Sequence, residues 1–152
     1  MAMIIEGEER IEAPIARVWA ALNDPEILKE CIPGCESLEK NSDTELAAVV
    51  TLKIGPIKAT FNGAVELRNL KPPHSYTIEG EGKGGIAGFA KGGADVVLEE
   101  ESPEITILRY EAKADVGGKI AQLGSRLITS TSKKLAGQFF SSLNEKVSAG
   151  EV

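Results

Sequence analysis

Residues 118–147 most constrain the fold of this chain, because they contain no proline and carry a regular apolar stripe. Residues of this stripe recur at steps of three and four, which places them on one face of a helix. They are Ile120, Leu123, Leu127, Thr131, Leu135, Phe139 and Leu143. The opposite face is polar and carries Lys119, Gln122, Arg126, Lys133 and Lys134. The pattern predicts one amphipathic helix about 45 Å long at ~1.5 Å per residue, which needs an apolar surface to cover its stripe.

The chain before this helix predicts a sheet that can supply such a surface. Apolar and polar residues alternate in seven segments. Turns rich in Gly, Pro, Asn and Asp separate these segments. The predicted strands are residues 3–12, 35–40, 44–54, 57–70, 74–83, 89–100 and 105–115. Two short helices are predicted after the first strand, with Pro14 in the first turn of one and Asp24 as the N-cap of the other. Short turns between successive strands favour an antiparallel meander, so we expect an α+β fold in a single domain, residues 1–152.

Net charge, apolar runs and cysteine count exclude several classes of function. The formal net charge of −6 and the pI near 4.9 argue against general binding of nucleic-acid backbones, which takes a basic surface. The first residues lack the pattern of a signal peptide, and the longest apolar run after them, residues 46–50, is too short to span a bilayer. Cys31 and Cys35 are too few for a disulfide framework. These features predict a cytoplasmic protein.

Inward-facing positions at one end of the predicted sheet are small. They include Ala59, Gly80, Gly82, Ala90, Gly92, Ala94, Ala112 and Ala114, with Phe61 as the bulky exception. The long helix would either pack closely against this face or leave a cavity for an apolar ligand, and Trp19 or Phe89 could also fill the space. An empty cavity costs ~24 cal/mol per Å³, so a large one needs a ligand or another compensating reason.

Twelve residues are the candidate ligand contacts if the cavity exists. They are Phe61, Gly80, Gly82, Phe89, Gly92, Ala94, Tyr110, Ala112, Ile120, Leu123, Gly124 and Leu127. Tyr110 faces inward in the middle of a strand, and a buried hydroxyl needs a partner. It is either a core tyrosine bonded to a backbone carbonyl or a polar group at the floor of the cavity.

No motif in the sequence carries recognisable catalytic or metal chemistry. The glycine-rich run at residues 80–93 lacks the Lys-Ser/Thr pair and the following helix of a phosphate loop. Cys31, Cys35 and the single histidine, His74, do not make a zinc ligand set, and His74 has no nucleophile beside it. The sequence therefore predicts no metal, no cofactor and no catalytic residue, and an enzyme is not expected.

Three segments together resemble the CoxG family of carbon monoxide dehydrogenase subunits, which belongs to the START-like, polyketide-cyclase-like (SRPBCC) superfamily. They are Glu-Ala-Pro-Ile-Ala-Arg-Val-Trp at 12–19, Cys-Ile-Pro-Gly-Cys-Glu at 31–36 and Gly-Ser-Arg-Leu-Ile at 124–128. The resemblance implies a helix-grip fold, in which a seven-stranded antiparallel sheet wraps around a long C-terminal helix with an apolar tunnel between them. It also implies association with a molybdenum hydroxylase of the carbon monoxide dehydrogenase type, either to place that enzyme at the membrane or to pass a quinone to it.

These lines of reasoning give three hypotheses for function. The leading one is a non-enzymatic carrier or accessory protein that holds a lipid or isoprenoid quinone between sheet and helix, with peripheral contact at the inner face of the membrane. The second is a protein–protein adaptor or assembly factor for molybdenum hydroxylase subunits that binds no ligand of its own. The third is a small hydrolase or cyclase that uses the same pocket.

Overall fold

The computed structural model describes residues 2–148, which form one seven-stranded sheet, two short helices, two 3₁₀ turns and a long helix. The strands are β1 (Ala2–Ile11), β2 (Cys35–Lys40), β3 (Glu45–Ile54), β4 (Ile57–Lys71), β5 (Ser75–Lys83), β6 (Phe89–Ser102) and β7 (Ile105–Gly117). The helices are α1 (Ile15–Leu22), α2 (Pro25–Cys31) and α3 (Ser125–Ser148). The 3₁₀ turns are Gly85–Ala87 and Lys119–Leu123.

The sheet is antiparallel throughout and its strand order is β1-β7-β6-β5-β4-β3-β2. Strands β2 to β7 form a meander, and β1 closes the far edge by pairing with β7. The predicted fold class is therefore confirmed, including the two short helices after the first strand. Asp24 caps α2 as predicted, since the Glu26 backbone N–H donates to its carboxylate at 2.9 Å.

The start of the long helix differs from the prediction. A continuous helix from residue 118 is wrong, because α3 begins at Ser125 and the preceding residues form the 3₁₀ turn Lys119–Leu123. Gly124 separates the two with φ 97° and ψ 150°, a conformation that only glycine adopts without strain. Periodicity alone did not reveal the break, because Ile120 and Leu123 fit the helical spacing in either case.

The core is divided into two apolar clusters. The larger one joins α1, α2 and the C-terminal half of α3 to one end of the sheet, and it contains Leu22, Leu108, Leu143 and Val147. The smaller one lies at the other end and contains Ile54, Ala59, Phe61, Ala87, Val116, Ile120 and Ile128. Helix α3 is anchored in both clusters, through Ile128 at one end and Phe140, Leu143 and Val147 at the other.

Candidate functional site

A cavity of about 350 Å³ lies between the two apolar clusters, with the sheet on one side and the middle of α3 on the other. Its lining is almost wholly apolar. The sheet contributes Ala48, Val50, Leu52, Ile54, Phe61, Gly63, Ala64, Val65, Gly80, Glu81, Gly82, Ala90 and Val116. The helical side and the loops contribute Ile32, Ile120, Ile128, Thr131, Ser132 and Leu135.

Strand register explains why the sheet leaves this space open. One row across the inner face pairs Ala48, Gly63, Gly82, Ala90 and Val116 on successive strands. The next row pairs Leu46, Val65, Gly80, Gly92 and Ala114. Glycine and alanine dominate the centre of both rows, so no side chain there is long enough to reach α3. Protein interiors normally pack at crystal-like density, but side chains do not fill the space between this part of the sheet and α3.

The middle of α3 spans the cavity without being packed into either cluster. No α3 residue between Ile128 and Phe140 is buried, although both of those residues are. Thr131, Ser132 and Leu135 face the space in this interval. Within residues 2–148 the hydroxyls of Thr131 and Ser132 have no hydrogen-bond partner, so the helix presents two free polar groups to an apolar cavity.

The smaller cluster closes one end of the cavity. The Phe61 ring occupies this end together with Ile54, Ile120 and Ile128. Gly84 makes room for the ring, because a Cβ at this position would lie 2.7 Å from a Phe61 ring carbon. The end wall is therefore formed by buried side chains that pack against one another.

The structure brings four of the twelve predicted contact residues to the cavity, namely Phe61, Gly80, Gly82 and Ile120. Gly92, Ala94 and Ala112 share the inner face but lie on strands β6 and β7 beyond the cavity lining. Phe89 is 38% exposed and its ring lies over Gly117. Leu123 packs against the smaller cluster, Leu127 lies against Gly55, and Gly124 forms the break before α3.

Tyr110 lies outside the cavity. Its ring stacks on Phe140 with centroids 3.9 Å apart and an interplanar angle of 13°. Its hydroxyl lies over Gly7 of the neighbouring strand, where a Cβ would overlap it. Burial, and secondarily the charge of Glu9, raise the pKa of this tyrosine. Trp19, the other predicted filler, packs against Tyr76 in the larger cluster at 5.5 Å.

Sequence reasoning missed most of the lining from β3 and from the middle of α3. Ala90 was among the small inward positions but not among the twelve contacts. The other lining residues outside the twelve are Ile32, Ala48, Val50, Leu52, Ile54, Gly63, Ala64, Val65, Glu81, Val116, Ile128, Thr131, Ser132 and Leu135. Two signals were present in the sequence. Thr131 is the one polar residue in the apolar stripe of the predicted helix, with Ser132 next to it, and Gly63 lies between the bulky inward residues Phe61 and Val65.

The cavity carries no titratable side chain aimed into it. Glu81 contributes to the lining, but it alternates outward from Gly80 and Gly82 and its side chain is exposed. Cys31 and Cys35 are free thiols, and burial raises the pKa of both. Cys35 donates to the Ser37 carbonyl at 3.3 Å. Within residues 2–148 no three His, Cys, Asp or Glu side chains are grouped to hold a metal ion.

Two further observations bear on the surroundings of this site. None of the helices formed by residues 2–148 is long and apolar enough to cross a membrane. Tyr76, at the far side of the larger cluster, is almost completely buried, and the loss of hydration raises the pKa of its phenol strongly.

Comparison with solved structures places the fold among proteins of several kinds. A conserved protein from Geobacillus kaustophilus is 31% identical with a TM-score of 0.89, over 97% of this chain and 96% of that one. The Zhui aromatase/cyclase from a Streptomyces species is 12% identical with a TM-score of 0.70, over 97% and 94% of the two chains. Norcoclaurine synthase from Thalictrum flavum is 13% identical with a TM-score of 0.67, over 100% and 98%. The last two share the fold alone.

Sequence comparison identifies the family. No curated protein matches the chain. The profile of one family matches residues 7–148, which is nearly the whole sequence and includes all three segments that carry the resemblance. The chain therefore belongs to the CoxG family of carbon monoxide dehydrogenase subunits, with the helix-grip fold.

Proposed function

We propose that this protein is a non-enzymatic carrier that binds part of an apolar ligand, a lipid or an isoprenoid quinone, in the cavity between the sheet and α3. The observation that carries the proposal is the central glycine and alanine rows, which hold about 350 Å³ open between two well-packed clusters. An empty cavity of that size is costly, and ligand sites typically begin at about 300 Å³. Binding a ligand is the function that best explains why such a space is left unfilled.

The cavity volume limits how much of a ligand can enter. An engineered cavity of ~150 Å³ holds one benzene ring, so about 350 Å³ holds roughly two fused rings or a short branched chain. A whole membrane lipid or a long isoprenoid tail is larger than this. The proposal therefore places a ring system or the first part of a chain inside the protein, with the rest leaving between the strands and α3.

The hydroxyls of Thr131 and Ser132 give the proposed ligand a polar feature. Both can donate to a carbonyl oxygen and accept from a hydroxyl, so they suit a ligand that carries oxygen on an apolar ring. A quinone in either redox state has such a group, whereas a simple hydrocarbon chain does not. This pair favours a quinone-like ligand over a fatty acyl chain.

Association with a carbon monoxide dehydrogenase-type molybdenum hydroxylase, and peripheral contact with a membrane, complete the proposal. The family name supports association with that enzyme. The lack of a titratable group facing the cavity within residues 2–148 supports a carrier over a hydrolase or cyclase. The enzymes among the structural neighbours are too distant in sequence to transfer their activities.

Solvent extraction of freshly purified protein, followed by mass spectrometry, tests the carrier proposal. We expect a quinone or lipid in near-stoichiometric amount from the wild type and much less from Gly63→Leu, which fills the cavity. Reconstitution of ligand-free protein with a short-tailed quinone, followed by fluorescence quenching of Trp19, provides the second readout. A clean extract together with no saturable quenching would overturn the carrier proposal and favour the adaptor.

A further inference from the structure

We propose that the end of the molecule nearest the cavity is a docking surface for an anionic lipid membrane. We call this end the basic tip and define it as residues 53–60, 83–90 and 116–126. It deepens the membrane part of the proposed function by naming the surface involved. The inference does not require the cavity to hold a ligand, so the two can fail separately.

The three segments of the basic tip lie together. Gly55 in the β3–β4 turn lies against the first turn of α3, since a Cβ there would be 2.8 Å from a Leu127 methyl carbon. Gly88 has φ 112° and lies so close to Gly117 that a Cβ would overlap the Gly117 carbonyl oxygen. The backbone N–H of Gly84 donates to the carbonyl oxygen of Gly88 at 2.8 Å and closes the loop between these two residues. The tip is thus a single surface built from three connections.

Charge is strongly asymmetric between the tip and the rest of the molecule. The tip contains none of the chain's 23 Asp and Glu residues, although the protein as a whole has a net charge of −6. Its cations are Lys53, Lys58, Lys83, Lys119 and Arg126, and all five are exposed. Within residues 2–148 none of the five forms an ion pair, whereas Arg10, Arg68, Arg109 and Lys146 all do.

An apolar residue projects from the centre of these cations. Ile86 is 91% exposed, the most exposed large hydrophobic residue among residues 2–148, and Phe89 in the same segment is 38% exposed. Ala87, between them, is buried in the smaller cluster and fixes the loop to the core. Exposure of the Ile86 side chain to water is unfavourable, and the fixed loop cannot turn the side chain inward. Insertion of this side chain below the lipid headgroups would bury it.

Anionic lipid fits this combination better than an acidic protein does. Basic residues close to an anionic membrane surface each add about fivefold to binding, which corresponds to ~1 kcal/mol. The acidic residues nearest the tip, Glu81 and Asp115, both lie opposite Lys91 in the strand register, which offsets part of their charge. Those of the opposite end lie about 40 Å away along strands of 13 to 15 residues, several Debye lengths at physiological salt. Their repulsion is therefore screened. An acidic protein could form ion pairs with the cations, but it would not explain why an isoleucine projects from their centre.

Docking by the basic tip would also set the cavity next to the membrane. The smaller cluster is built largely from the tip segments, with Phe61 and Ile128 added, and it borders the cavity directly. A ligand that leaves the bilayer at this point would pass the side chains of this cluster instead of strand backbone. The surface and the cavity would then form one route.

Sedimentation with vesicles tests the inference without any quinone or other added ligand. The full chain is mixed with phosphatidylcholine vesicles that contain or lack phosphatidylserine, at low and at high salt. We expect binding only with phosphatidylserine, weakened by salt. The double variant Lys83→Gln/Lys119→Gln should lose about 25-fold in affinity, and Ile86→Ser about tenfold.

The matched control is Lys133→Gln/Lys134→Gln on the exposed face of α3, which removes the same charge from another surface. Retained binding in this control and loss in the tip variants would support the inference. Absence of phosphatidylserine-dependent binding by the wild type would overturn it, and so would an equal loss in the tip and control variants. The result of ligand extraction has no effect on either outcome.

Discussion

Filling the cavity from Gly63 should make the protein more stable and unable to bind its ligand. Gly63 lies on the inner face of β4 between Ala48 and Gly82, and its backbone does not require glycine. A Cβ there would meet only the carbonyl oxygens of Glu81 and Ala48, at ordinary contact distances of 3.6 Å and 3.8 Å. A leucine at this position would therefore extend into the open space.

The size of the effect follows from burial and chain entropy. Burying a leucine side chain contributes ~1.5–3 kcal/mol, and replacing a glycine that has no special conformation adds about 0.4–1 kcal/mol. Loss of leucine rotamer freedom removes ~0.5–1 kcal/mol. The net gain for Gly63→Leu is about 1–3 kcal/mol, or a rise in Tm of roughly 2–10 °C for a domain of this size.

Thermal unfolding and quinone titration measure the two effects on the same samples. The series Gly63→Ala, Gly63→Val and Gly63→Leu should raise Tm in steps as binding weakens, while Ala47→Leu on the outer face of the adjacent strand should leave binding intact. Gly92→Leu is unsuitable, because its Cβ would overlap the Lys113 carbonyl oxygen. A folded Gly63→Leu protein that binds like the wild type, or one with a lowered Tm, would refute the assignment of this space.

Two further predictions concern polar groups. Thr131→Val with Ser132→Ala should weaken binding of a short-tailed quinone by about tenfold, the value of one or two hydrogen bonds, yet leave binding of a purely apolar dye unchanged; equal losses for both probes would contradict a polar role. Burial raises the pKa of Tyr76 above its ordinary value of 10.0. Its contribution to stability is therefore complete below pH 10 and is lost above it, where the unfolded chain ionises first. Urea unfolding from pH 8 to 11 should show a decline that Tyr76→Phe reduces, and an unchanged decline would exclude Tyr76 as its cause.

The strands were predictable because apolar and polar residues alternate along each of them, so that one face of the strand is exposed to solvent. Predicted and observed ranges differ by one or two residues at most ends, as in β7, where residues 105–115 were predicted and the strand runs Ile105–Gly117. The two short helices were predictable for a similar reason, since Pro14, Asp24 and Pro25 mark their starts. Local chemistry determines these elements.

The position of the cavity was only partly predictable, because it depends on where α3 lies. The sequence pattern placed the open space over β4, β5, β6 and β7 beneath the start of a continuous helix. The break at Gly124 instead turns Ile120 and Leu123 into the smaller cluster and places the middle of α3 over β3, β4 and β5. Of the two positions considered for Tyr110, the structure shows the one in the core, since Phe140 approaches it from the C-terminal half of the helix. The break at Gly124 thus accounts for the difference between the predicted and the observed position of the cavity.

The cost of the cavity links stability to ligand binding. The cavity opens to solvent on one side, so water can enter it, and leaving it without a ligand costs less than an enclosed, dry cavity of about 350 Å³ would. The larger cluster lies apart from this space and holds α1, α2 and the end of α3 regardless of its contents. The packing of the smaller cluster around Phe61 and Ile120 is therefore the part of the core to which an occupant of the cavity would contribute most. A ligand that fills the space would therefore stabilise this part of the core more than the larger cluster.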